Sequence, residues 1–406
     1  MDPVYSRPVR FGALTLRFTG LPQGGPRLDE PNGEGWRALN KEAGSWILEA
    51  RDTDPHGDMV RPAADWEKLG ELPTGDVVWR MVPPDGYRTF SDFLLAPGQD
   101  PRHGPDEVFG CVKESHGGFT YAHPADVATP VIADLWPVVA PDHWCGTNGI
   151  RMTPSDIGGF CWSPGAKPVD RPPMHVLNLP IGTQRGTGSK KPLMDGFGRP
   201  ADVTNWAREQ VATVPFPAVK DSDRSVLRQI RRSPVYTIQR DAQYRLEKYI
   251  DNEHRDTAQS VGYSVTKGVS QIRTATWRAR VGISVTAKGG IDIEAVDAGL
   301  RATVSVELGY SSATGVSELV SRTDTGALRV PGRHAGAMYS VTHRLTAFRE
   351  DGTPVGGAAG SLTFTPDQDY YFVQYPEADG DGNSVEKLSL GEGVFGNRHG
   401  GVPDSL

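Results

Sequence analysis

The sequence predicts a mostly β protein in two parts: an N-terminal pseudo-repeat body of β-prism type, then an elongated antiparallel β body. Three observations carry this. Gly (48) and Pro (33) together make up about a fifth of the 406 residues, against roughly 12% in an average chain, so turns are dense. A tryptophan-proline pattern recurs through residues 1–180. From about residue 277 to residue 310, apolar and polar residues alternate with the period of two that a half-wet strand requires.

In residues 1–180 the clearest two copies of the repeat are VVWRMVPPDGY and DLWPVVAPDHW. In each, a tryptophan (Trp79, Trp136) is followed eight positions later by an aromatic (Tyr87, Trp144) that closes a Pro-Asp-x-aromatic turn. A degenerate third copy is read at VRPAADW, on Asp65 and Trp66. Short aromatic strands leading into rigid proline turns are the pattern of pseudo-symmetric sheets. Two readings of Trp79, Tyr87, Trp136 and Trp144 stay open. They are core keystones, or they are platforms that bind a receptor glycan or lipid headgroup, for which amphipathic rings are suited. The stretches VVWRMVPPDGYRTFSDFLL and PDEVFGCVKES resemble the vacuolar protein sorting-associated protein 62-related family. That resemblance implies a fold rather than an activity; where the family has a glycine soon after the tyrosine, this chain has Ser91 and Asp92.

Residues 181–230 read as a connector. Residues 201–211 carry a helical signal, with Asp202 as cap and Trp206 inward. GTGSKK lacks the frame of a phosphate-binding loop.

Residues 231–376 read as the second body. Strands of increasing length over Tyr236, Tyr244 and Tyr249 run into SVTKGVSQIRTATW, and SSATGVSELVSRTDTG follows the alternating stretch; both are Ser/Thr-rich, as suits exposed ribbons. Between them, residues 281–291 and 298–308 read as two antiparallel arms of a hairpin. Each has the ~9 to 11 residues that a tilted strand needs to cross a bilayer. Val281, Ile283, Val285, Ala287, Ile291, Ile293, Leu300, Ala302, Val304, Val306 and Leu308 supply an apolar, membrane-inserting face. Ser284, Thr286, Lys288, Thr303, Ser305 and Glu307 supply the wet, pore-lining one. An ordinary sheet with one face on a core alternates in the same way. Further on, Val330-Pro331-Gly332 reads as a break and Glu350-Asp351-Gly352-Thr353 as a tight turn.

The order of Ser/Thr-rich strand, amphipathic hairpin, second Ser/Thr-rich strand and Leu328-to-Pro331 segment resembles the aerolysin-type pore-forming proteins, the epsilon-toxin and mosquitocidal-toxin branch included. The resemblance implies a protein that binds a lipid or glycan receptor on a target-cell membrane, assembles as a homo-oligomer and inserts the hairpin, with insects as one class of target. A non-lytic lectin-like or sorting-related binding protein is the alternative. Arg273, Arg278 and Arg280 crowd the approach to the first arm, where long cations reach headgroups. Residues 377–406, Gly-rich and polar, read as a loose tail; Asp379, Asp381 and Asn383 open a calcium-loop pattern that Ser384 and Leu390 break.

A net charge of −7 with both signs interspersed argues against a nucleic-acid partner. No run of apolar residues reaches the length of a membrane helix, and the N-terminus lacks the layout of a secretory signal, so a soluble chain is expected. Cys111, Cys145 and Cys161 read as buried structural thiols, with a single bridge between two of them as the alternative. No metal, cofactor or catalytic set is expected: Gly309 to Ala313 lacks the last glycine of a nucleophile elbow, and no two of the ten histidines have metal-ligand spacing.

Overall fold

Proline and glycine cut the N-terminal body into short strands, many of which pair with strands that are not their chain neighbours. The computed structural model describes residues 3–20, 35–40, 46–103, 108–130, 134–139, 149–152, 159–168, 173–181, 183–186, 188, 191–268, 271–281, 283–285, 291–295, 300–304, 322–357, 360–365, 370–377 and 384–389. β1 (Val4–Tyr5), β2 (Val9–Phe11), β3 (Leu14–Gly20), β4 (Arg37–Ala38) and β5 (Trp46–Asp52) form the first sheet, with β5 between β3 and β4. Six strands follow: β6 (Val60–Arg61), β7 (Asp65–Glu71), β8 (Val77–Val82), β9 (Tyr87–Arg88), β10 (Phe93–Leu95) and β11 (Cys111–Lys113). β11 lies between β6 and β9, and β8 between β7 and β10.

After a small hairpin, β12 (Ser115–His116) and β13 (Phe119–Thr120), come β14 (Ala122–Pro124), β15 (Asp126–Val127), β16 (Leu135–Val139), β17 (Gly149–Met152), β18 (Phe160–Trp162) and β19 (His175–Pro180). Both strand orders return unchanged: β19 lies between β14 and β17, and β16 between β15 and β18. The order β3-β5-β4 matches β6-β11-β9 and β14-β19-β17, so residues 14–52, 60–113 and 122–180 are three copies of one unit. Each copy leads into its short fourth strand, or that strand's counterpart, with Gly-x-Arg: Gly35-Trp36-Arg37, Gly86-Tyr87-Arg88 and Gly149-Ile150-Arg151. Gly35 (φ 75°) and Gly86 (φ 80°) occupy the left-handed region that glycine enters without penalty. The residue after the arginine joins one copy to the next: the Ala38 carbonyl accepts from Gly110 N–H and the Thr89 carbonyl from His175 N–H, each at 3.0 Å.

Two expectations about the repeat are corrected. Tyr87 corresponds to Ile150 rather than to Trp144, because the second copy of the sequence pattern has extra residues before its fourth strand. Asp65 and Trp66 belong to β7 inside the second unit, and the remaining copy is residues 14–52.

The second body is a sheet of long strands. In chain order come β20 (Thr183–Arg185), β21 (Val203–Pro215), helix α1 (Val226–Arg232), β22 (Val235–Asp251), β23 (Gln259–Lys267), helix α2 (Gln271–Val281), β24 (Ile283–Val285), β25 (Ile291–Ala295), β26 (Leu300–Val304), β27 (Arg322–Val330), β28 (Ala335–Phe348), β29 (Ser361–Phe364), β30 (Tyr370–Tyr375) and β31 (Glu386–Ser389). The main sheet runs β20-β21-β22-β28-β29, with β30 also on β28; β23-β27-β31 and β24-β25-β26 are separate three-stranded sheets.

The helix expected over 201–211 is instead the 13-residue strand β21. Ala207, Arg208, Glu209 and Gln210 favour helix, but Val203, Thr204, Val211, Thr213 and Val214 are β-branched, and β20 and β22 pair with the strand from both sides. The connector's helix is α1. Within the expected loose tail, residues 386–389 form β31 against β27. The break at Val330 and the turn around Gly352 (φ 78°) stand where expected, the turn closed by Arg349 N–H to the Thr353 carbonyl at 2.9 Å.

One core draws on both halves. Leu14, Leu16 and Phe18 of β3 meet Tyr236 and Ile238 of β22, Leu345 of β28 and Phe364 of β29. At its centre Phe216, in the 3-10 turn Phe216–Ala218, packs edge-on against Phe18 (5.0 Å between ring centroids) and Trp46 (5.1 Å).

Candidate functional site

β23 and β27 pair over nine residues from Gln259↔Val330 to Lys267↔Arg322, so residues 268–321 leave and re-enter the fold at adjacent positions. Alternation sorts this ladder into two faces. Tyr263, Val265, Leu328 and Val330 are buried, while Ser264 opposite Thr325 and Thr266 opposite Thr323 are exposed. The Ser/Thr ribbons expected to be wet are wet here.

At the root of this excursion the buried face carries a cation. Lys267, 1% exposed, places Nζ 3.2 Å from Asp324 Oδ2 and 3.6 Å from the centroid of the Tyr370 ring. Tyr370 donates its hydroxyl to the same Oδ2 at 2.8 Å. Burial, then the Asp324 hydrogen bond, pushes the Tyr370 phenol far above its ordinary range, so it stays a donor. Sequence reasoning passed over this cluster. The available signal was a lysine in phase with Tyr263 and Val265 on an apolar face.

Inside the excursion the structure departs from a two-armed hairpin. Residues 271–281, expected as extended chain, form α2, with Trp277 (1% exposed) and Val281 (0%) buried one turn apart while Ala275, Thr276, Ala279 and Arg280 face out. Trp277 Nε1 donates to the Gly360 carbonyl at 3.1 Å, and the Val281 carbonyl accepts from Lys220 N–H at 2.9 Å. Val281 is therefore a core residue at a helix end. The other described residues of the excursion, β24, β25 and β26, form a three-stranded meander. Ile283, Ile293 and Ala302 share one rung, Val285, Ile291 and Val304 another, and Ser284, Asp292 and Thr303 the rung between; Leu300 pairs with Ala295. Ile291 and Ile293, expected at the end of the first arm and in the turn, form a middle strand of their own. β26 passes beside β17, and β25 and β26 beside the Phe216–Ala218 turn. Thr286, Ala287, Lys288, Ser305, Val306, Glu307 and Leu308 lie outside the described residues.

The four aromatics expected as receptor contacts do not gather at one surface. Trp79 (3% exposed) packs with Val77 and Leu95 under the Arg102 guanidinium, 5.0 Å away. Tyr87 (6%) donates its hydroxyl to the Asp58 carbonyl and sits in the core of the second unit. Both are keystones, and the platform reading is corrected for them, since neither side chain offers appreciable surface to a ligand. Trp136 is half-buried, its Nε1 donating to the Ser163 carbonyl at 3.2 Å. Trp144 lies outside the described residues. Cys111 and Cys161 are buried free thiols whose pKa burial pushes up, to about 12 and about 11, so both are unreactive at neutral pH. Cys145, the nucleophile-elbow look-alike and the Asp379-to-Asn383 pattern lie outside the described residues.

Among the described residues no helix is long and apolar enough to cross a membrane. No protein-family model matches the sequence and no curated protein does, so both resemblances drawn from the sequence rest on pattern and order. Among solved structures the chain is similar to the crystal structure of Cry35Ab1, with a TM-score of 0.36 and 13% identity over 78% of this chain and 89% of that one.

Proposed function

We propose that the chain is a β-pore-forming protein that binds a target-cell membrane, assembles with copies of itself and inserts part of residues 268–321 as an amphipathic β-hairpin. The observation that carries the reading is the Lys267↔Arg322 pairing. A segment whose ends are hydrogen-bonded neighbours can be drawn out and rewound as an extension of the β23-β27 ladder without disturbing the strands on either side. Closing copies of that extension into a barrel satisfies the backbone groups that lipid leaves without water.

In that state Ile283, Val285, Ile291, Ile293, Leu300, Ala302 and Val304, with Ala287, Val306 and Leu308, face acyl chains. Ser284, Thr303, Thr286, Lys288, Ser305 and Glu307 face water. Rewinding requires α2 to leave the core and the meander to lose its middle strand. An insect membrane is one target the reading accommodates.

The test is release of a trapped dye from liposomes and from cells that bind the protein, with electron microscopy of the same membranes. Leakage with ring-shaped particles is expected. Binding without leakage under proteolytic, acid and receptor activation overturns the reading. It would favour a non-lytic binding protein, a second reading that draws support from how deeply Trp277 and Val281 seat the excursion in the core.

A further inference from the structure

The main sheet of the second body carries a cleft of about 430 Å³ on one face, lined among others by Arg185, Trp206, Arg208, Gln239, Asp241 and Arg344. Its floor is a single rung: Arg208 on β21, Asp241 on β22 and Arg344 on β28 are direct cross-strand partners. Asp241, 2% exposed, is fully engaged. Its Oδ2 accepts from Arg344 Nη2 at 2.7 Å and Nε at 3.2 Å, and its Oδ1 accepts from Gln239 Nε2 at 2.5 Å. The Arg344 guanidinium also lies 4.5 Å over the Trp206 ring, which fixes indole and cation against each other.

Asp241 and Arg344 cancel. Arg185 and Arg208, both exposed, make no ion pair or side-chain hydrogen bond with any described residue. Among the described residues the cleft thus holds three cations against one anion, in a chain of net charge −7. A positive pocket in an acidic protein selects a small anion, and guanidinium forks match the planar or tetrahedral oxygens of a carboxylate or sulfate. The indole adds an apolar surface with a polar edge, the usual partner of a sugar ring. The volume falls in the range of small-ligand pockets, about 300–1,000 Å³, and has room for a mono- or disaccharide. A lipid is disfavoured: the exposed large apolar side chains among the described residues are Tyr5, Val82, Leu193 and Leu388, and none lines the cleft.

We propose that this cleft binds an acidic sugar unit of a glycan, carboxylated or sulfated, with Arg185 and Arg208 holding the anion and Trp206 packing on the ring. The site does not depend on pore formation. It is tested by calorimetric titration of the full chain with N-acetylneuraminic acid, glucuronic acid and galactose 6-sulfate, with galactose and inorganic phosphate as controls. At least one acidic sugar is expected to saturate more tightly than either control, with affinity falling as salt rises. Arg208→Ala, Arg185→Ala and Trp206→Ala are each expected to weaken it about tenfold or more, and Arg208→Lys by less than Arg208→Ala. Arg185 and Arg208 are exposed, so their variants keep the fold, as circular dichroism checks. Galactose or phosphate binding as well as the acidic sugars, affinities unmoved by either arginine variant, or no saturable binding each overturn the proposal.

Discussion

At the scale of single residues, buried charges and buried neutral histidines decide how the fold answers to mutation and to acid. Arg349, 8% exposed, donates to Asp221 through Nε (2.7 Å) and Nη2 (2.6 Å), and Tyr236 adds its hydroxyl at 2.8 Å. Burial alone would raise the Asp221 carboxyl, but the Arg349 and Tyr236 hydrogen bonds outweigh it and hold the group below its usual range. Asp221→Ala leaves the guanidinium buried without its main partner and is expected to cost about 3–5 kcal/mol, read from the urea midpoint. His343, packed near Glu209 and Arg240 on the same sheet, is pushed down to about 3, first by burial and then by Arg240. Burial, then Arg88 and His123, takes His175 to about 4. The folded state holds both neutral, whereas the unfolded chain protonates near 6.5. Their stabilisation is therefore complete above about 6.5, is lost as pH falls from there toward about 4 and then 3, and no longer counts below. Asp221 adds a loss at still more acid pH. Urea midpoints should fall steadily from pH 7 to pH 4, and His343→Gln should remove part of that slope.

Among the elements, α2 and β21 show where local sequence deceived. Trp277 and Val281 are both odd-numbered, so they fit a period of two as well as a helical i, i+4 pair, and only their burial under Gly360 and Lys220 separates the two. Trp206 fitted a helix face and instead lines a cleft on a strand. The wet face at the root, by contrast, was legible from the Ser/Thr content of both segments, whereas their pairing was not, because Thr323 and Thr325 flank Asp324 rather than an apolar residue and leave β27 without clean alternation there. The meander also alters how the excursion can be fixed in place. Val285 and Val304 both pair with Ile291 from opposite sides, so they stand about 9–10 Å apart, beyond a disulfide's reach. A Cβ added at Gly356 would lie 3.8 Å from the Arg280 Cβ, within disulfide range. Gly356 has φ 72°, so a cysteine there carries strain of about 1–2 kcal/mol. The pair Gly356→Cys with Arg280→Cys should clamp α2 to the body. If insertion requires α2 to leave, the oxidised form is silent in dye release and reductant restores leakage. Equal leakage in both forms would mean that α2 stays in place.

Over the whole molecule, the turn at Phe216 joins what the sequence suggested were separate bodies. Phe18 and Trp46 come from the first repeat unit and Tyr236 and Leu345 from the long sheet, yet all belong to one cluster with Phe216. Phe216→Ala is expected to cost about 3–5 kcal/mol and to lower the melting of both halves together, seen as one calorimetric transition that moves intact. Two resolved transitions would contradict the shared core. Three-fold repetition was legible only in part. Trp79 and Trp136 announced two copies by spacing, whereas the remaining copy keeps the Gly-x-Arg corner at Gly35 to Arg37 without that spacing, and only strand order reveals it. The ladder beneath the excursion has a mechanical corollary. Its hydrogen bonds run across the strands, and the excursion is tethered at one end of it, so tension from that side loads the rungs singly, like a zipper, rather than all together in shear. Lys267, Asp324 and Tyr370 sit beside the first tooth, where a small pull is felt first and where a single rivet sets the threshold for everything behind it.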